Sequence, residues 1–446
     1  MKKAMFAGLV ALLAGCSSLP PAERLLEQQE RELDTDGSTT MLFHSALYYP
    51  SEISLTFPGF ILGIEKSPVD IIAKNGAVYI KEIPGSGFTK EELADEVIDK
   101  KILYVSHIIE SFGKPYGQSN CVHYNAYYRE GLNKPKPPIE FCNNSEKHEV
   151  RPEKAYMDSW LAMSNLKRLI RDRIESYTHV IVVTMGWNTV QEEAVRNFNS
   201  IMKNLKAASG DDPFNPLFIG VTWPSQWAAK WVEPIVRGLS FPWKAHDADE
   251  VGLTWLGVLL HETLADIDKP IVVIGHSFGA RATSVAACIG PAIVAEETTK
   301  SENNNTIDYL INLQGAYRTN RLLGQHREGK LQYDNSCGNV KRIFLTSSVS
   351  DTAMDSLFWR KDKYAGDDES YDRYCENGNS EVRCGTAAWS GELTITNNVK
   401  SNVTYINADE LINRNSYLSG GDAHSDIYRA EHGVMLWNML SHSEER

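Results

Sequence analysis

The stretch IVVIGHSFGA, residues 271–280, decides how the chain is read. Its continuous apolar run fits a short strand buried on both faces. It stops at Gly275-His276-Ser277-Phe278-Gly279, a serine fenced by two glycines, and a helical pattern begins at Ala280. Such a stretch is either an ordinary strand-to-helix turn or one that holds a nucleophile up for attack. Glycines at 275 and 279 lack a Cβ and leave room for a serine in a strained backbone conformation. A strand before it and a helix behind it are the context that a nucleophile elbow requires.

Working outward, the same rhythm extends over the second half of the chain. Helical runs at 156–177, 191–207, 249–265, 280–294 and 426–440 separate or follow apolar strands. Those strands fall at 179–184, 216–223, 271–275, 309–315, 342–348 and 403–408. Apolar strands separated mostly by helices imply an α/β fold with a mostly parallel sheet covered on both faces. Right-handed crossovers make that sheet doubly wound. Ligands in such sheets sit beyond the carboxyl ends of the strands, where Ser277 lies.

Residues 41–155 read as an N-terminal α+β extension. Asn75-Gly76 between apolar runs signals a hairpin over 69–83, and Thr89-Lys90-Glu91-Glu92 reads as a capping box opening a helix to about 103. The Pro-rich stretch 113–155 reads as an irregular excursion able to cover a site.

The first residues carry an address. Met1-Lys2-Lys3 is followed by an apolar run too short to span a bilayer, then by Leu13-Ala14-Gly15-Cys16, so residues 1–15 read as an export signal. Small residues before Cys16 resemble the lipobox of bacterial lipoproteins. That resemblance implies lipidation at Cys16, an acyl anchor in the cell envelope, by analogy in the outer membrane, and a polar tether over 16–40. The six other cysteines agree with an oxidising compartment. Cys121 with Cys142 and Cys375 with Cys384 are the favoured pairs, each closing a short polar loop, while Cys288 in an apolar segment reads as a buried thiol. No Cys/His spacing suits zinc, so no metal is expected. A net charge of -13 leaves no basic face for nucleic acid.

A serine needs a base, and the base needs an orienting acid. His326, His424, His432 and His442 follow Ser277. His424 stands out in the Gly-rich loop GGDAHSDIY ahead of the closing helix, whereas His432 falls inside that helix as a surface or packing residue. Asp351 and Asp355 follow the strand at 342–348; Asp351 is nearer the strand end and is preferred, with Asp355 in reserve and Asp422 too close to His424 in sequence. The Phe278 N–H supplies one oxyanion donor, and Thr184-Met185-Gly186-Trp187-Asn188 offers the Trp187 N–H as the second.

These residues resemble the α/β-hydrolase superfamily over about 178–440. The carriers are Gly275-His276-Ser277-Phe278-Gly279, then Asp351, then His424-Ser425-Asp426, in that superfamily's order. Thr184 to Asn188 and Thr222-Trp223-Pro224-Ser225 look like a bacterial branch of lipase-like hydrolases, which has His-Gly where Met185-Gly186 stands here. The resemblance implies a catalytic domain over 156–446 and cofactor-free hydrolysis of esters, amides or thioesters through an acyl-enzyme, without naming the substrate. Trp223, Trp227, Trp231, Phe241, Trp243, Phe358 and Trp359 line an acyl pocket, form a lid or fill the core. An esterase or lipase acting on small-molecule or lipid esters fits best. An acyltransferase, thioesterase or peptidase on the same triad, or a non-catalytic envelope binding protein, stays open.

Overall fold

The computed structural model describes residues 55–68, 101–113, 120–126, 141–143, 155–186, 189, 191–223, 225, 245, 247–293, 306–323, 336–351, 363–376, 382–414 and 423–441. These residues build one 11-stranded sheet. Its strands are β1 (Pro58–Pro68), β2 (Lys101–Phe112), β3 (Asn120–Asn125), β4 (His179–Thr184), β5 (Pro216–Thr222), β6 (Ile271–His276), β7 (Ile307–Leu313), β8 (Val340–Ser347), β9 (Arg383–Ala387), β10 (Leu393–Ile395) and β11 (Val403–Asn407). The order across the sheet is β10-β9-β11-β8-β7-β6-β4-β5-β1-β2-β3. From β9 to β1 neighbours run parallel, and only the outermost pairs β9/β10, β1/β2 and β2/β3 are antiparallel.

The expected α/β architecture with a mostly parallel sheet is therefore present. Helices α1 (Ala155–Arg171), α2 (Gln191–Ala208), α3 (Trp255–Val258), α4 (Phe278–Cys288), α5 (Asp368–Tyr371) and α6 (Ala430–Ser441) accompany it. Successive strand residues point to opposite faces, and both faces are covered. Val180, Val182 and Val273 pack with Leu166 and Ile170 of α1 and Val285 of α4. Ile181, Val183 and Ile274 pack with Phe198 and Met202 of α2 and with Met435 and Leu436 of α6. Every residue of β5 and β6 is buried, which explains their uninterrupted apolar sequence.

The N-terminal part departs from the expectation. β1, β2 and β3, all inside 41–155, extend the same sheet, and β2 begins at Lys101, where the capping box implies a helix running on to 103. β3 lies within the stretch read as irregular and is held to Cys142 through Cys121. The hairpin expected over 69–83 lies outside the described residues. Disulfides join Cys121 to Cys142, Cys375 to Cys384 and Cys288 to Cys337. The first two are the favoured pairs. The third corrects the reading of Cys288 as a thiol: it ends α4 and is tied to the turn that leads into β8.

The sheet also fixes where a ligand can sit. β4 leads through α2 to β5 on one side, while β6 leads through α4 to β7 on the other. Strand order reverses between β4 and β6, and the crevice at their carboxyl ends is the topological switch point. No helix of the described residues is long and apolar enough to cross a membrane.

Candidate active site

Ser277 stands at that switch point, one residue past β6. Its backbone has φ 57° and ψ -121°, a conformation that costs a non-glycine residue about 1–3 kcal/mol. Neighbours over-determine it. The Ser277 N–H donates to the Leu313 carbonyl at 3.0 Å, and the Ser277 carbonyl accepts from the Ala316 N–H at 3.0 Å, so the turn after β7 grips the serine on both sides. A Cβ on Gly275 would collide with the Ala280 backbone, and one on Gly279 would collide with the Thr184 carbonyl oxygen. Both glycines are thus required by close approach, for the reason the sequence suggests.

The residues expected as acid and base lie in two later loops. Asp351 lies four residues past β8, and His424 lies in the 3-10 turn Ala423–Ser425 ahead of α6. His424 Nδ1 and Asp351 Oδ2 are 2.8 Å apart, with side chains only 12% and 0% exposed. With Nδ1–H donating to the carboxylate, Nε2 keeps its lone pair, which is the tautomer a general base needs. His432 lies in α6, as expected, and of the surface and packing roles left open it takes the buried one. Asp355, Asp422, His326 and His442 lie outside the described residues.

His276, to which the sequence alone assigns no role, links the His424 loop to the Ser277 turn. Its Nε2–H donates to the His424 carbonyl at 2.8 Å, and the two rings lie 4.8 Å apart. Burial, helped by the neighbouring His424, lowers its pKa to about 3 despite the backbone hydrogen bond. It is a neutral strut. Since His276 precedes Ser277, the loop carrying His424 is fastened directly to the elbow.

The loop after β4 closes the other side. A Cβ on Gly186 would lie 2.7 Å from Ser277 Cβ, so this backbone rests on Ser277. Trp223 Nε1–H donates to the Met185 carbonyl at 2.9 Å, and Ser225 Oγ exchanges hydrogen bonds with both the N–H and the carbonyl of Thr189. Trp223 is therefore a buried brace for that loop. Phe278 is the first residue of α4, in the turn whose amides fall outside the helix's own hydrogen-bond ladder. Trp187 and Cys16 lie outside the described residues, as do Trp227, Trp231, Phe241, Trp243, Phe358 and Trp359.

Behind the elbow, Asp249 receives Arg281 Nε at 2.7 Å and Nη2 at 2.5 Å, and Arg321 Nη1 at 2.9 Å and Nη2 at 3.1 Å. Burial alone would raise this carboxyl, but Arg281 and Arg321 outweigh it and hold it well below the carboxylate range. The cluster pins the first turn of α4 to the segments on either side.

Potential metal donors Glu110, Cys121, His123 and Cys142 gather near the far edge of the sheet. There the two sulfurs are joined to each other, and Glu110 holds His123 and Arg173. Comparison of the chain with family models, curated proteins and solved structures returned no match.

Proposed function

We propose that the chain is a serine hydrolase with the α/β-hydrolase arrangement, cleaving carboxylic esters through an acyl-enzyme on Ser277. One observation carries the reading. The Nδ1 of His424 meets Asp351 across 73 residues of chain at 2.8 Å, at the sheet end where Ser277 is held in a strained turn. The order of the three, nucleophile after β6, acid after β8 and histidine after β11, supports it.

In this reading His424 Nε2 takes the Ser277 proton as Oγ attacks the ester carbonyl. Asp351 holds the imidazole and stabilises its cation. The Phe278 N–H, with the Trp187 N–H as second donor, receives the oxyanion. His424 then gives the proton to the leaving alcohol, and water activated by the same nitrogen releases the acid. Every proton is carried by residues of this chain.

The leader argues for a protein of the cell envelope, outer membrane by analogy, anchored by a lipid on Cys16. Three disulfides in the body support an oxidising compartment. The testing experiment is hydrolysis of p-nitrophenyl esters of graded acyl length beside matched thioester and anilide substrates. Ester turnover that vanishes in Ser277→Ala upholds the reading. Turnover of the amide or thioester alone reassigns the reaction, and no turnover of any substrate counts against an enzyme.

A further inference from the structure

Three non-glycine residues of the described chain have positive φ: Asp266, Ser277 and Gln314. Ser277 is explained by its elbow. Gln314, with φ 45°, stands beside it at the carboxyl end of the next strand, fully buried, between the two backbone contacts by which the Leu313–Ala316 turn grips Ser277.

Its carboxamide has a fixed orientation. Thr346 Oγ1, on β8, accepts from the Gln314 backbone N–H at 3.1 Å, and its own proton goes to Gln314 Oε1 at 2.9 Å. Gln314 Nε2 is thereby left as a buried donor with no partner among the described residues. In Asp351, Oδ2 takes His424, and Oδ1 is a buried acceptor with no partner among the described residues. Buried polar atoms of this kind are rare because leaving them unmade is costly. Here one is a donor, the other an acceptor, and the same backbone joins their surroundings. A Cβ on Gly366 would lie 2.9 Å from Gln314 Cα; the Gly366 carbonyl accepts from the Ser348 N–H, and the Ser348 carbonyl accepts from the Asp351 N–H.

We propose that Gln314 is a positioning residue for the Asp351–His424 pair, its Nε2–H reaching Asp351 Oδ1 across one buried water. The inference rests on the serine-hydrolase reading for its purpose. A carboxylate anchored at only one oxygen can turn about its Cβ–Cγ bond. Held at both, it presents Oδ2 to the imidazole in one orientation, and the water's bond draws off part of its charge.

Two measurements on the full-length protein test it. In a high-resolution crystal structure, a water within about 3 Å of both Gln314 Nε2 and Asp351 Oδ1 is expected; a dry contact there overturns the proposal. In solution, Gln314→Met removes the donor at similar length. The low-field proton resonance of His424 Nδ1–H should then move downfield, because Asp351 recovers charge and becomes the stronger acceptor. Fluorophosphonate labelling of Ser277 should slow about tenfold. A resonance left in place overturns the proposal whatever the rate does, since a merely structural glutamine would slow labelling without moving that proton. If the wild-type protein fails to label at all, the hydrolase reading fails, while the water and the resonance still judge the bridge.

Discussion

Replacing Asp249 with asparagine keeps the shape of the buried cluster behind Ser277 and removes its negative charge. Both guanidiniums then face a neutral amide at positions where their side chains are only 12% and 13% exposed. Removing one partner of a buried ion pair costs about 3–5 kcal/mol; residual hydration of the arginines argues for the lower end, about 3 kcal/mol. With a melting entropy of roughly 2 cal/mol/K per residue, a chain of this length loses about 3 °C in Tm. Calorimetry of Asp249→Asn beside wild type reads it. Asp249→Asn combined with Arg321→Met should recover part of the loss, because the double variant has one stranded cation fewer. The pH dependence follows from the lowered carboxyl pKa. The stabilisation is fully present above the unfolded value, about 4, and disappears only as pH falls through the folded one. The gap between wild type and Asp249→Asn should therefore hold between pH 7 and pH 5 and narrow in stronger acid. A shift under about 1 °C at pH 7, or a gap that already closes by pH 5, would refute this reasoning.

Asp351→Asn is expected to lower kcat/KM by about four orders of magnitude, with Asp355→Asn near wild type in the same ester assay; the reverse pattern would transfer the acid's role to Asp355. Burial lowers the pKa of His432 to about 4, with Arg429 adding to it. The unfolded chain therefore takes up a proton near pH 6.5 that the native protein refuses, and stability falls as pH drops from 6.5. His432 should account for about 2 kcal/mol of that loss by pH 5, so urea titrations of His432→Leu should show a shallower decline than wild type. Gly186→Val would drive a side chain into Ser277, because a Cβ at position 186 already falls 2.7 Å from the Ser277 Cβ. Ester turnover should drop by at least about a hundredfold, the cost of a disturbed oxyanion loop, and unchanged turnover would separate that loop from the site.

The central parallel strands were legible because burial on both faces demands unbroken apolar runs, as in HVIVVT and IVVIG. Ser277 was legible because its glycines are obligatory, and Asp351 and His424 followed from their places after β8 and β11. The flanks were not. β1 opens and closes on proline, and its short run Phe60-Ile61-Leu62 is broken by Gly63 and followed by Glu65, while β9 reads RCGTA with no apolar run. Strands of this kind take their stability from neighbours that only the fold brings near. The roles of His276, Trp223, Gln314 and Asp249 were illegible for the same reason. Each depends on partner atoms far away in sequence, and no spacing rule anticipates a ring nitrogen meeting a carbonyl 148 residues on.

The most direct test maps a fluorophosphonate adduct by mass spectrometry on the full-length protein. A single adduct on Ser277 is expected, absent in Ser277→Ala and slowed by orders of magnitude in His424→Ala. A protein that takes no adduct, or one whose Ser277 labels equally fast without His424, would contradict the catalytic triad.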